Sequence, residues 1–147
     1  MTLLDTLLGE LQGSGLAQAM RQARWLYPAV NTAHILGLAT LYGSLVVLHL
    51  RAPADAAGAT AAGLDKLVTP VAASGFAIAV VSGVLMFTTD AVKYAGSSLF
   101  LIKMALILAG LVNVAWLKRK RAARPAALIS LSVWTAVIIC GRLIGYT

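Results

Sequence analysis

The stretch YPAVNTAHILGLATLYGSLVVLHL, residues 27–50, decides the fold of this protein. It contains no acidic residue, lysine or arginine. A helix rises 1.5 Å per residue, so about 20 apolar residues cross the roughly 30 Å hydrocarbon core of a bilayer. Three more apolar windows of this length follow, at 68–88, 98–117 and 126–146. We therefore expect an all-α protein whose core is a four-helix transmembrane bundle.

The composition of the whole chain agrees with this expectation. Of its 147 residues 60% are hydrophobic and only 12% are charged, where a soluble domain carries about 25% charged residues. The chain is predicted to be an integral membrane protein that contacts the lipid bilayer. Its net charge of +7 is then a sign of membrane topology, and we expect no nucleic-acid partner.

The segments between the windows are predicted to be loops, and their charges predict an orientation. A basic cluster separates the third window from the fourth; it consists of Lys118, Arg119, Lys120, Arg121 and Arg124. Short basic loops stay in the cytoplasm. Both termini and the 89–97 loop are therefore predicted on the outer, periplasmic side. In that loop Asp90, Lys93 and Tyr94 either meet a periplasmic redox partner or simply face solvent.

Residues 1–26 are predicted to be an interfacial amphipathic helical segment, and residues 27–147 the four-transmembrane-helix domain. Leucines recur at helical spacing near the N-terminus, at positions 3, 4, 7, 8 and 11, and Gly13-Ser14-Gly15 interrupts them. A second short helix is predicted to run to Trp25, which would anchor the first span at the interface. A mobile tail is the alternative interpretation.

Small residues predict close helix packing. Gly75, Ala79 and Gly83 form a stripe on the second window, and Gly37 and Gly43 have a similar role on the first. The stripe fits packing within one chain or against a second copy. We expect a homodimer or a subunit of a larger membrane complex. Two polar residues deep in the windows, Tyr42 and Asn113, are expected to hydrogen-bond other helices.

Residues capable of holding a cofactor converge near the predicted outer surface. Ionisable groups within a span cost roughly 2.5–3.5 kcal/mol each at the bilayer centre, so their presence needs an explanation. Six residues that are charged or could ligate a metal fall within about 10 Å of one surface when positions are counted along each helix. They come from all four windows: His34, Met86, Lys103, Met104, Cys140 and Arg142. Snorkelling of the charged side chains is the structural explanation, and a cofactor site is the functional one.

Heme b is the first candidate cofactor. His34 would ligate the iron, and Asn31, three residues earlier, would orient one imidazole nitrogen. His49 follows fifteen residues after His34, a rise of about 22 Å, which is similar to the spacing in diheme b-type membrane cytochromes. Ligation by two histidines would need a parallel homodimer that pairs His34 with His34 and His49 with His49.

A heme held by one histidine from this chain has another possible second ligand. Met104 or Met86 would complete a His/Met site. Lys103 and Arg142 would then neutralise the propionates.

Two other functions use or explain the same residues. Imidazole, thioether and thiolate favour Cu(I), so His34, Met86, Met104 and Cys140 are candidate ligands for copper binding or transport. Alternatively, the protein is a cofactor-free accessory or scaffold subunit in which His34 is structural. The sequence lacks a Ser/His/Asp constellation and a phosphate-binding glycine loop. An electron-transfer or binding protein is therefore favoured over a hydrolase or transferase.

Three stretches in a fixed order are familiar: WLYPAVNTAHILGLATLYGSLVVLHLR, LFLIKMALILAGLVNVAW and SLSVWTAVIICGRLIGY. They resemble a family of small four-span bacterial inner-membrane proteins of unknown function. The matching positions are Trp25, Pro28, His34, Tyr94, Phe100, Lys103, Gly141 and Arg142. This resemblance implies a multi-pass protein of the bacterial inner membrane.

The helix pattern is more distantly similar to the membrane domain of copper-resistance protein D and to b-type membrane cytochromes, which implies heme or copper. The chain departs from the family at two positions. Asn31 stands where the family commonly has Glu, and His49 where it commonly has Asp. The second departure favours one site around His34. Our preferred hypothesis is heme b near the outer leaflet, held by His34, Lys103 and Arg142, with a role in electron transfer.

Overall fold

The computed structural model of the protein describes residues 3–50, 54–120 and 124–146, and these ranges contain helices but no strand. The helices are α1 (Leu3–Gly13), α2 (Gly15–Gln22), α3 (Leu26–Leu50), α4 (Ala54–Thr89), α5 (Ala91–Ala95), α6 (Ser98–Lys120) and α7 (Arg124–Ile144). Four segments are long and apolar enough to cross a membrane: Leu26–Leu50, Gly63–Thr89, Ser98–Trp116 and Ala127–Ile144. The predicted all-α, four-span architecture is confirmed, and the protein is a multi-pass membrane protein.

The predicted loop at 51–66 is wrong for most of its length, because α4 begins at Ala54 and continues through Pro70 to Thr89. The segment is rich in alanine, which has the highest helix propensity of any residue. Its small and polar side chains predicted a loop between two helices. The alanines instead extend α4 beyond the apolar window that begins at residue 68. The predicted basic loop at 118–125 is helical at 118–120, the end of α6, and at 124–125, the start of α7; residues 121–123 lie outside the described residues.

The short helices α1, α2 and α5 gather at one end of the bundle, which we call the cap end; the opposite end, with the basic cluster, is the basic end. Arg21 of α2 holds this cap together. Its guanidinium donates to the Thr89 carbonyl of α4 at 2.8 Å and to the Gln12 carbonyl of α1 at 2.9 Å. Carbonyls in the last turn of a helix have no intrahelical partner. Arg21 therefore satisfies the C-termini of two helices at once.

The helices α1 and α2 confirm the predicted helical segment before the first span, although α2 ends at Gln22 and not at Trp25. Ala17 and Met20 are the buried residues of α2, whereas α1 buries none of its side chains. Leu3 is 81% exposed. Insertion of the leucine face of α1 into the membrane interface stays a prediction.

The four long helices form two tight pairs, α3 with α4 and α6 with α7, and α3 also packs on α7. In the first pair the backbones touch at glycines. A Cβ atom on Gly37 would lie 2.8 Å from the Ala79 amide nitrogen, and one on Gly75 would lie 2.7 Å from the Leu41 nitrogen. Real Cβ atoms do not approach other atoms this closely, so only glycine fits at either position. The predicted role of Gly37 and Gly75 is confirmed, whereas the same prediction for Gly43 is wrong, because no described atom lies within 4 Å of a Cβ atom there.

Side chains join the two pairs. Leu41 and Leu45 of α3, Ala72 of α4 and Trp134 of α7 form the buried core cluster, and the Phe76 ring meets the Trp134 ring edge-on with centroids 6.3 Å apart. This core lies in the middle of the spans. It separates the polar groups at the cap end from those at the basic end.

The two deep polar residues have different surroundings. The hydroxyls of Tyr42 and Thr135 are 2.9 Å apart, so the expected hydrogen bond from Tyr42 to another helix is confirmed. The same expectation for Asn113 is wrong for its side-chain oxygen, because Oδ1 is buried without a hydrogen-bond partner. Helical spacing placed both residues at depth but did not reveal the atoms opposite them.

Substitution of Gly37 by Ala should lower the thermal unfolding midpoint in mild detergent. The added methyl group would overlap the α4 backbone, at a cost of about 1–3 kcal/mol for overpacking, which exceeds the gain of up to about 1 kcal/mol in helix propensity. Gly43→Ala is the matched control, since no atom lies within 4 Å of a Cβ atom there. Equal midpoints for the two variants would contradict this account of the α3–α4 contact.

Candidate functional site

His34 is held by the backbone and a side chain of α4. Its Nδ1 lies 2.9 Å from the Ala79 carbonyl oxygen and 3.0 Å from the Ser82 Oγ. The Ser82 hydroxyl itself donates to the Ile78 carbonyl, so its oxygen can accept. Both partners of Nδ1 are then acceptors, and Nδ1 carries the proton. In the neutral ring the lone pair is on Nε2.

The Nε2 atom of His34 is available to a ligand. Within the described part of the chain it has no hydrogen-bond partner, and it is not among the fully buried atoms. We expected Asn31 to orient the ring, but Asn31 makes no hydrogen bond to it among the described residues. Ala79 and Ser82 have this role instead, because the glycine contact brings the α4 backbone within reach of the imidazole.

Two glycines seat the polar side chains of the site. A Cβ atom on Gly83 would lie 3.2 Å from Cε1 of His34, and one on Gly141 would lie 3.2 Å from Nζ of Lys103. Each side chain therefore lies against the backbone of the neighbouring helix. Lys103 lies within the range of electrostatic interaction with both His34 and Cys140. The structure thus brings together three of the predicted residues, from α3, α6 and α7.

Lys103 has no anionic partner in the described residues, since neither an ion pair nor a hydrogen bond of its ammonium group occurs there. Its Cα lies about five residues, or roughly 8 Å, inside the cap end of α6. An unpaired ammonium group at this depth is costly. The site as it stands therefore favours the approach of a negatively charged group.

Other predicted residues do not join this cluster. Met104 is 42% exposed on the bundle surface. The Arg142 guanidinium is exposed and donates to the Tyr146 hydroxyl at 3.3 Å, with its carbon 5.4 Å from the centre of that ring. The expected place of Arg142 beside His34 is therefore corrected: it binds an aromatic side chain at the end of its own helix. Met86 is half-buried on α4, and no contact with His34 is described.

His49 is at the basic end of α3, where its Nε2 lies 3.0 Å from the Oγ of fully buried Ser130 on α7. The ring nitrogen that would bind an iron is thus engaged within the protein. The bond connects α3 to α7, the two helices that join the tight pairs. This contact indicates a structural role for His49, distinct from the cluster around His34.

An aromatic cluster that the sequence pattern did not predict lies at the cap end of α4 and α6. The rings of Phe87 and Phe100 stack with centroids 5.2 Å apart, and Tyr94 of α5 lies 6.2 and 6.3 Å from them. Phe87 is one helical turn beyond Gly83, and Phe100 is one turn before Lys103. That spacing was the available signal. Tyr94, predicted either to contact a partner or to face solvent, is half-buried against these rings.

An apolar groove runs along the surface of the α3–α4 pair, and His34 is not among the residues that line it. Its volume is about 340 Å³, and Ser82, which contacts His34, is its one polar lining residue. Apolar residues lining it include Val30, Ala33, Ile78 and Val81. Among the described residues no group of three or more His, Cys, Asp or Glu side chains is placed to hold a metal ion.

No protein-family model, curated protein or solved structure matches the chain. The resemblance to the small four-span family therefore stays a prediction.

The pKa of Tyr94 provides a test of the aromatic cluster. Burial raises it above its ordinary value, and the negative charges of ionised Tyr27 and of Asp90 raise it further. The folded protein favours the neutral phenol, so protonated Tyr94 contributes to the free energy of unfolding. This contribution is complete below pH 10 and is lost as the pH rises through the raised pKa of Tyr94. An alkaline titration of tyrosinate absorbance should show a late component that Tyr94→Phe removes.

The control is Tyr146→Phe, whose ring is outside the cluster at the end of α7. It should leave the late component in place. A late component that survives in Tyr94→Phe would contradict the burial of Tyr94 beneath the cap.

Proposed function

We propose that this membrane protein binds heme b at His34, near the cap end, and transfers electrons. The orientation of the His34 ring carries the proposal. A histidine that ligates a metal ion almost always donates its other ring N–H to a carbonyl or carboxylate, which fixes the tautomer and raises the basicity of the ligating nitrogen. The Ala79 carbonyl accepts from Nδ1 in this way and leaves Nε2 for iron.

The surroundings of His34 fit a flat apolar ring. Gly83 presents no side chain against the imidazole, and the adjoining groove is apolar. One chain supplies a single histidine at this end, so a second copy in parallel orientation would bring its own His34 as the second ligand. The homodimer expected from the sequence is thus part of this proposal.

Charge supports heme over a copper ion. A heme b carries two propionates, and Lys103 has no anion among the described residues. A propionate near its ammonium would compensate a charge that is otherwise costly within the span. A bare copper ion would instead add positive charge beside Lys103. Met104, one of the candidate copper ligands, is also turned to the bundle surface.

When bound, heme supplies reversible one-electron transfer. The protein residues would have three roles. Ala79 and Ser82 hold the imidazole in one tautomer, Lys103 binds a propionate, and the aromatic cluster excludes water from the side of the cap. If the basic end faces the cytoplasm, as its charges predict, the site exchanges electrons with a partner on the periplasmic side of a bacterial inner membrane.

Substitution of His34 by Ala should abolish the Soret band of protein purified in mild detergent from heme-sufficient cells. The matched control is His49→Ala on the same helix. It should keep the Soret band and lower stability by about 1–3 kcal/mol, since buried Ser130 loses its partner. Oxidised and dithionite-reduced spectra, with metal analysis of the same samples, provide the measurement.

A wild-type protein without a Soret band and without iron would refute the proposal. Copper in that sample, lost in His34→Ala, would establish the copper function. Absence of both metals would favour the cofactor-free scaffold subunit.

Lys103→Gln should weaken heme binding by about ten- to hundredfold, the effect of losing one hydrogen bond to a charged group. Without heme the same substitution should raise the unfolding midpoint, because it removes an unpaired cation. Lys93→Gln, at an exposed position of α5, is the control and should change neither quantity. The affinity is measured by heme titration of protein produced without heme. An unchanged affinity in Lys103→Gln would mean that Lys103 does not hold a propionate.

A further inference from the structure

Two polar atoms are buried without a hydrogen-bond partner in the interior of the bundle. They are Nε1 of Trp134, whose side chain is only 4% exposed, and Oδ1 of Asn113. In the described part of the chain these are the only fully buried side-chain nitrogen or oxygen atoms in this condition. Most buried polar groups have a partner, which is protein or ordered water, and each exception calls for an explanation.

The two atoms belong to facing surfaces of the α6–α7 pair. The Trp134 indole crosses α6 at Gly110, where a Cβ atom would lie 3.2 Å from Nε1. Asn113 is three residues further along α6, and residues three apart share a helix face with Cβ atoms about 5–6 Å apart. Asn113 therefore follows Gly110 on the face that Trp134 covers, one turn closer to the basic end.

The chemistry of the two atoms restricts what can satisfy both. An indole N–H only donates, and an amide oxygen only accepts. A group between them must accept one hydrogen bond and donate another. A metal cation does not satisfy the indole, and an anion does not satisfy the amide oxygen. Water meets both requirements and is the smallest molecule that does so.

We propose that the bundle contains a binding site for one water molecule, which bridges Trp134 Nε1 and Asn113 Oδ1. The water accepts from the indole and donates to the amide oxygen. Polar pairs flank the site on α7: Thr135 with Tyr42, and Ser130 with His49. Ser130 is one turn from Trp134 towards the basic end. The site is independent of the heme proposal, which concerns the cap end.

A double-mutant cycle tests the bridge, with Trp134→Phe, Asn113→Leu and both together. Unfolding midpoints are followed by helical circular dichroism in mild detergent. The Phe variant keeps a six-membered aromatic ring beside Phe76. It removes the five-membered ring of the indole together with its N–H. With a bridge, each single substitution should lower the midpoint by several degrees, and the double variant should lose clearly less than the sum.

The same experiment refutes the proposal if no water lies between the two side chains. Asn113→Leu would then raise the midpoint, because it removes an unpaired buried oxygen, and the two effects would add. Asn113→Ala serves as a second variant if leucine does not fold.

Nuclear magnetic resonance separates a water bridge from a direct bond between the two side chains. The Trp134 indole proton, identified by its absence from the Trp134→Phe spectrum, should show a cross-peak at the water frequency that weakens in Asn113→Leu. The other indoles, on half-exposed Trp116 and exposed Trp25, should not respond to Asn113→Leu. Coupled stabilities without this water cross-peak would indicate a direct Trp134–Asn113 bond and overturn the proposal.

Discussion

The backbone contact between Gly37 and Gly75 is the constraint on which the rest of the structure depends. It brings α3 and α4 together at a distance that no side chain permits. Because α4 comes so close, the Ala79 carbonyl and the Ser82 hydroxyl reach the His34 ring. The same closeness places Gly83 against that ring. The tautomer of His34 thus follows from a packing contact one turn away along the helix.

The cap is a second consequence of local hydrogen-bond requirements. The C-termini of α1 and α4 each present a carbonyl that needs a donor, and Arg21 supplies both bonds. Gln12 in turn accepts from the backbone of Val92 at the start of α5. Through these bonds the three short helices cover one end of the bundle. Tyr94 is thereby held against Phe87 and Phe100.

The two histidines of α3 show how surroundings differentiate identical side chains. His34 uses Nδ1 for a helix carbonyl, and its Nε2 has no partner among the described residues. His49 uses Nε2 for buried Ser130. The first arrangement leaves one ring nitrogen accessible, whereas the second is an interhelical hydrogen bond. Spacing along the helix suggested two equivalent sites, but the neighbouring helices make them unequal.

Length and hydropathy are sums over a local stretch of chain, so residues 27–50 and the three windows after it determined the four spans by themselves. Helical counting also placed His34, Lys103 and Cys140 near one end, because depth depends only on rise per residue. Tertiary structure decided everything that depends on a partner. It exposed Met104, gave Asn31's expected role to Ala79 and Ser82, and left the Oδ1 atom of Asn113 without a partner among the described residues. A side chain's direction and the atoms opposite it depend on helix rotation and on neighbours distant in the chain, which hydropathy does not encode.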